Sequence, residues 1–293
     1  MSHRFFYSQN WNIAFCDLSP DDLVKQKCLP PVKWLKHPYK DRWFADPFIL
    51  SVSDNEIVVL VEECPIENPR GLIVELHIDK ESMRLKNRYV LLSLGTHLSY
   101  PFIFHSNGKT YVCPENGESG KWSCYEYNPE THSLTSPVVI YNGAIADASI
   151  IEKDNQCYMV AAKFPETLSN AYLFKKGADG IFNQLFDSPI SSGLISRPGG
   201  AWIIANSKIY RPVQNCTVEY GGSLVIRECN MNAYIYEEKD LFELMPVDND
   251  HCLGLHTINF KDNLCVIDGC GYLYPFWGRS YSMLRTIKRA IVG

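Results

Sequence analysis

The chain contains no apolar run approaching the ~20 residues that a membrane span requires. It also lacks an apolar N-terminal stretch of the secretory type. Both absences lead to the expectation of a cytoplasmic protein. Positive charge is not in excess: 28 basic against 33 acidic residues leave a net charge of −5, which removes the electrostatic case for nucleic-acid binding. The 11 cysteines include no C-x-x-C pair. Cys64, Cys113, Cys157, Cys216 and Cys265 sit in or beside short apolar runs. They are expected to be reduced structural thiols, with no disulfide among them. Neither a metal nor a cofactor is expected. No low-complexity segment or linker interrupts the chain before residue 275.

What the chain does have is a phrase stated five times. A polar residue opens it, an apolar run follows, then a polar turn with an asparagine, then a second apolar run ending in a polar residue. The copies open at Asp46, Tyr100, Asp147, Arg197 and His256, at intervals of 54, 47, 50 and 59 residues. The runs are short and rich in Ile, Val, Phe and Tyr, which suits strands rather than helices. Asn55, Asn107, Asn155, Asn206 and Asn263 supply the turns, and Asn107-Gly108 is the strongest hairpin signal. A hairpin repeated at about 50 residues is the mark of a propeller.

Third runs follow at 71–78, 123–127, 171–174 and 221–227, and fourth runs at 89–93, 138–141, 184–186 and 241–245. Four strands in each of five repeats predict an all-β, single-domain, five-bladed β-propeller over residues 1–278. The fifth repeat runs out of chain after Asp268, so an N-terminal strand around Trp11–Phe15 is expected to close the last blade. Residues 17–45 read as irregular. Residues 279–293 differ: Met283, Leu284, Ile287 and Ile291 recur at helical spacing with Arg285, Lys288 and Arg289 opposite. They predict a short, basic amphipathic helix, packed on the propeller or resting on the inner face of an anionic membrane.

Innermost strands of a propeller line its channel, so their openings converge at one end. Asp46, Tyr100, Asp147, Arg197 and His256 are therefore candidate site residues. The residues ending the second strands join them: Glu62, Glu63, Glu115, Lys163, Gln214 and Asp268. Asp46, Asp147 and Glu115 are the catalytic candidates. Glu63, Tyr100, Lys163, Arg197, Gln214, Tyr220, His256 and Asp268 are the substrate-binding candidates. Arg197 or Lys163 is expected to neutralise at least one carboxylate, since a buried unpaired charge is costly. Tyr100, Tyr220 and Trp202 are candidates for stacking on a sugar ring.

The acidic openings at Asp46-Pro47 and Asp147 resemble those of the five-bladed propeller glycosidases, the arabinanase, β-xylosidase and invertase group. That resemblance implies Asp46 as base or nucleophile and Asp147 as the group that tunes the acid. The fourth repeat departs from the pattern, offering Arg197 and Gln214 where a carboxylic acid is needed. Glu115 and Glu219 are the substitutes. A fuller resemblance spans roughly residues 40–270. The series ADPF (45–48), HLSYPF (97–102), PE (114–115), ADAS (146–149), RPGG (197–200), QNC (214–216), YGG (220–222), LHTI (255–258) and IDG (267–269) resembles the propeller domain of glucosamine inositolphosphorylceramide transferases and their stand-alone bacterial relatives. This implies a glycosyltransferase role in surface polysaccharide or glycolipid biosynthesis. The partners would be a sugar or sugar-nucleotide donor and a glycan or glycolipid acceptor. A propeller glycoside hydrolase and a non-catalytic glycan-binding module are the alternatives.

Overall fold

Short apolar runs joined by tight polar turns can satisfy their backbone groups as antiparallel hairpins, and the protein builds each repeat in this way. The computed structural model describes residues 9–232, 234–274, 276 and 278. The N-terminal part forms β1 (Gln9–Asp17), α1 (Pro20–Gln26) and β2 (Lys33–Trp34). Blade 1 is β3 (Arg42–Val52), β4 (Glu56–Pro65), β5 (Leu72–Asp79) and β6 (Leu85–Leu92). Blade 2 comprises β7 (Ser99–Ser106), β8 (Lys109–Glu115), β9 (Lys121–Asn128), β10 (Ser133–Leu134) and β11 (Val138–Asn142). Blade 3 comprises β12 (Ile145–Lys153), β13 (Gln156–Lys163), β14 (Asn170–Lys176), β15 (Phe182–Gln184) and β16 (Ser191–Ser192). Blade 4 is β17 (Ile195–Pro198), β18 (Ile203–Ala205), β19 (Lys208–Asn215), β20 (Ser223–Met231) and β21 (Tyr236–Leu244), and blade 5 begins with β22 (Ile258–Lys261) and β23 (Leu264–Tyr272).

Five antiparallel sheets in succession make a five-bladed β-propeller. The last sheet has the order β2-β1-β23-β22, so both ends of the described chain build it. β1 pairs with β23 from Gln9 opposite Tyr272 to Asp17 opposite Leu264. This is the expected closure by an N-terminal strand, extended by β2. Residues 17–45 are more ordered than their composition suggested. Ser19 caps α1 by accepting the Asp22 N–H at 3.1 Å, Pro20 occupies the first turn, and Leu23 is buried against blades 4 and 5. A Ser-Pro pair is a known helix-start signal. The expected helix at 279–293 lies outside the described residues.

Three of the five asparagine turns take the expected left-handed backbone, while Asn55 and Asn263 do not. Asn107-Gly108, Asp154-Asn155 and Asn206-Ser207 each place two successive residues at positive φ, as the hairpin turn matching strand twist requires. Neighbouring blades then pack face to face, each interface with its own apolar cluster. Val59, Val61 and Val74 meet Ile13, Phe15 and Val266 between blades 1 and 5, while Leu60 and Ile73 meet Val112 and Tyr127 between blades 1 and 2. Burying such side chains contributes roughly 1.5–3 kcal/mol each. At Gly200 (φ 140°) the innermost strand of blade 4 breaks, and a Cβ there would lie 2.0 Å from the Ile258 carbonyl oxygen. Blade 5 approaches blade 4 at that point through glycine alone.

One expectation fails. Cys113 and Cys124 form a disulfide, with Cα atoms 4.3 Å apart. Val112 pairs with Tyr125 in the β8–β9 ladder, so the next pair outward is the two cysteines. The sequence placed each in an apolar run without revealing that they stand opposite. The cysteines therefore no longer support the cytoplasmic expectation. Thiol titration in denaturant without reductant should count nine free thiols; a count of eleven would refute the cross-link.

Candidate site at the channel mouth

Each of the first four innermost strands carries a bulge at its opening. Pairing with the second strand shifts between Ala45 and Phe48, Ser99 and Phe102, Ala146 and Ser149, and Ile195 and Pro198. Within the first three bulges Asp46, Tyr100 and Asp147 have φ of 50°, 43° and 50°. Left-handed backbone is unfavourable for such residues and persists where surrounding bonds enforce it. Here the enforcement comes from carboxylates. The Asp46 N–H donates to Asp268 Oδ2, the Tyr100 N–H to Asp46 Oδ2 and the Asp147 N–H to Glu115 Oε2, each at 3.1 Å. Glu115 ends β8 and Asp268 lies within β23, not at its end as the sequence suggested, and each reaches the opening of the next blade.

Two linked groups result. In the first, Asp46 Oδ1 accepts the Thr257 hydroxyl at 2.7 Å and lies 3.5 Å from His256 Nε2. Asp268, wholly buried, accepts the His256 and Thr257 N–H groups at 3.0 Å and faces His256 Nδ1 at 2.6 Å. Trp11 covers the His256 ring at a centroid distance of 4.2 Å. In the second group Arg197 grips Asp147 with Nε and Nη2, and its Nη2 lies 3.8 Å from Glu115 Oε2. Gln214 Nε2 donates to Asp147 Oδ2 at 2.9 Å and to the Pro198 carbonyl at 2.8 Å. The Tyr220 ring lies over the Arg197 guanidinium at 5.5 Å and against His256 at 5.7 Å, bridging the groups.

Burial dominates the electrostatics. It pushes the Asp46 carboxyl up to about 7, against the pull of His256 and with the push of Glu62, Asp147 and Asp268. Glu115 is raised well above the ordinary carboxyl range by burial and then by Asp147, against the pull of Arg197. Burial alone would lower His256, but Asp268 and Asp46 outweigh it and raise the imidazole to about 9. Asp46, His256 and Asp268 bring three ligand atoms within 4.8 Å of one another.

Eight of the eleven sequence candidates meet here: Asp46, Asp147, Glu115, Arg197, Gln214, Tyr220, His256 and Asp268. Tyr100 joins through its backbone N–H, while its ring is buried and packs edge-on against Phe48 at 4.9 Å with the hydroxyl in the field of Asp147 and Asp46. Glu63 does not join them, because Arg42 and Arg88 bind its carboxylate. Strand alternation turns Glu62 toward the mouth instead, where its charge acts on Asp46 and it lies 3.3 Å from His97 Nε2. Lys163 is also excluded: its ammonium donates to Gln184 at 3.1 Å and sits over the Tyr172 ring. Trp202 bonds the Ser149 carbonyl and packs between blades 3 and 4. Thr257 was missed, although it directly follows His256 in the LHTI motif. Tyr220 and His97, with 39% exposure at the residue and at the side chain respectively, link the cluster to solvent.

Comparison with known proteins accords with this picture. The family model of the N-terminal region of glucosamine inositolphosphorylceramide transferase 1 matches residues 32–245. The chain belongs to that family. It is 25% identical over 191 residues to glucosamine inositolphosphorylceramide transferase 1 of Oryza sativa subsp. indica, a match covering 62% of this chain and 26% of the rice protein. The chain thus spans about a quarter of the length of that relative. Among solved structures, a family 117 glycoside hydrolase of the marine bacterium Zobellia galactanivorans superposes with a TM-score of 0.55 at 9% identity, covering 89% of this chain and 91% of that one. A thermostable family-43 glycoside hydrolase gives a TM-score of 0.54 at 16% identity, covering 72% and 82%. These two likenesses establish the propeller fold.

The site predicts two stability effects. Arg197→Ala leaves Asp147 buried and unpaired, and should cost about 3–5 kcal/mol in denaturant unfolding; a loss under about 1 kcal/mol would contradict the pairing. The His256 value in the folded chain exceeds its ordinary 6.5. Its contribution is therefore complete below about pH 6.5 and disappears as pH rises through about 9. The wild-type melting temperature should fall between pH 7 and 9, and that of His256→Gln should fall less. Equal slopes would count against the assignment.

Proposed function

We propose that this propeller carries out glycosyl transfer in glycan or glycolipid assembly, with Asp46 as general base. The observation that carries the reading is a buried carboxyl raised to about 7 at the channel mouth. A base works best when its pKa lies near the working pH. In this reading Asp46 accepts the proton of an acceptor hydroxyl as that oxygen bonds to the anomeric carbon. The bond from that carbon to the donor's leaving group breaks, and the leaving group departs with its electrons. Glu115, whose proton affinity burial and Asp147 raise, donates a hydrogen bond in its protonated form to a sugar or leaving-group oxygen. Arg197 and His256 supply the positive charge that a sugar-nucleotide donor's phosphates would meet. Family membership supports the reading, since the relatives are named as transferases and carry both glucosamine and an inositolphosphorylceramide in that name.

A second reading, glycoside hydrolysis, is favoured by one specific feature. Two carboxyl groups with different environments, Asp46 and Glu115, are what base and acid roles require. The expected results separate the readings. Sugar nucleotides should raise the melting temperature, and mass spectrometry should detect transfer to a glycan or glycolipid acceptor. Asp46→Asn should keep the fold and donor affinity while lowering turnover by about 10²-fold or more. Cleavage of oligosaccharides, lost in Glu115→Gln, would establish the hydrolase instead. Ligand affinity with no turnover in any assay would identify a binding module.

A further inference from the structure

Blades 1 and 2 meet at a second cluster of ionisable side chains, away from the channel-mouth residues. Glu75 and His77 lie two positions apart on β5 and so share a face. His132 projects from the turn between β9 and β10, where its own backbone is left-handed with φ 47°. The Glu75 carboxylate is almost wholly buried, with 1% of its side chain exposed. Its Oε1 lies 2.7 Å from His77 Nε2 and 2.9 Å from His132 Nδ1. Three ligand atoms, one from each residue, fall within 4.8 Å of one another.

Every one of these groups is held from behind. Tyr127 donates its hydroxyl to Glu75 Oε2 at 2.9 Å. Glu56 Oε2 lies 3.0 Å from His77 Nδ1. Tyr89 stacks on the His132 ring at 3.9 Å, with only 5° between the planes. A neutral imidazole has one N–H and one lone pair, yet His77 meets a carboxylate oxygen with both nitrogens. His132 turns a nitrogen to the same Oε1. Three ring nitrogens aimed at two carboxylates need a proton in each gap, or a cation in place of the two protons around Oε1.

We propose that Glu75 Oε1, His77 Nε2 and His132 Nδ1 form a site for a divalent transition metal of the zinc type, joining blade 1 to blade 2. Two imidazoles and one carboxylate are a zinc donor set, whereas calcium and magnesium prefer oxygen ligands. The contact of Glu56 with His77 Nδ1 is the carboxylate–histidine support that orients metal-binding imidazoles, and Tyr127 fixes the carboxylate in the same way. The His77 and His132 side chains keep 15% and 27% exposure, so the ion enters from solvent and one coordination position stays open to it. Glu75 and His132 stand far apart in the chain, so no metal motif announces the site. The ladder of blade 1 and the turn of blade 2 bring them together.

The test uses metal-free, folded full-length chain titrated with Co²⁺ and, separately, Zn²⁺. Cobalt should bind as one equivalent with a visible spectrum of nitrogen and oxygen ligation, without the charge-transfer band of thiolate coordination. Zinc should raise the melting temperature. His132→Ala and His77→Ala should each weaken zinc binding about 100-fold and abolish the thermal shift, and Glu56→Gln should weaken it about 10-fold, as loss of a supporting carboxylate does. His132→Gln, which keeps a hydrogen-bonding side chain at this position, repeats the measurement should the alanine variant fail to fold. His256→Gln should bind as the wild type does. Absence of binding, a thiolate band, or affinity unchanged in both His132 variants would overturn the proposal and leave a proton-bridged ion cluster.

Discussion

The hydrogen bonds that converge on Asp268 are the constraint on which the rest depends. This carboxylate lies within the second strand of blade 5, has no exposure, and receives the N–H groups of Asp46, His256 and Thr257. It therefore performs three tasks with one group. It supports the unfavourable backbone of Asp46, holds His256 in place, and ties blade 5, where β1 pairs with β23, to blade 1. Glu115 repeats the device between blades 2 and 3 through the Asp147 N–H. A carboxylate accepting several N–H bonds is well solvated by the protein, which offsets much of the cost of burying it.

From this follows the charge pattern of the mouth. Bulges aim Asp46 and Asp147 inward, and burial then forces each acid to find a partner or a proton. Asp147 finds Arg197 and Gln214. Asp268 finds His256. Asp46 and Glu115 are left with weaker compensation, and their affinity for protons rises instead. The same arithmetic that makes the cluster tolerable inside a propeller raises the proton affinity of two of its carboxyl groups, the property on which the proposed transfer rests. Tyr220 and His97 are the partly exposed side chains beside these groups.

The fold was legible because propellers state their pattern redundantly. Five hairpin phrases with asparagine turns left little freedom, and even the closing strand around Trp11 followed from the missing strands after Asp268. Most of the site was legible for the same reason: openings that recur in register must meet at one end of the channel. The misreadings were of a different kind. Glu62 and Glu63 are neighbours in sequence and both charged, and only the pleat decides which faces the mouth. Lys163 ends a second strand as Glu115 does, yet Gln184 and Tyr172 hold it away. Cys113 and Cys124 belong to separate runs, and nothing in their spacing announces that β8 and β9 put them side by side.

The amino-acid sequence alone determined the number of blades, the identity of the channel-lining openings and the need for an N-terminal strand, because these depend on periodicity and turn chemistry, which are local. The tertiary structure alone decided which acidic groups find a charged partner and which hold a proton more tightly. That pairing depends on burial and on groups distant in the chain or on other blades: Thr257 for Asp46 and Arg197 for Asp147. It likewise decided the disulfide and the meeting of Glu75, His77 and His132, since register across strands and packing between blades are long-range properties that no single stretch of sequence encodes.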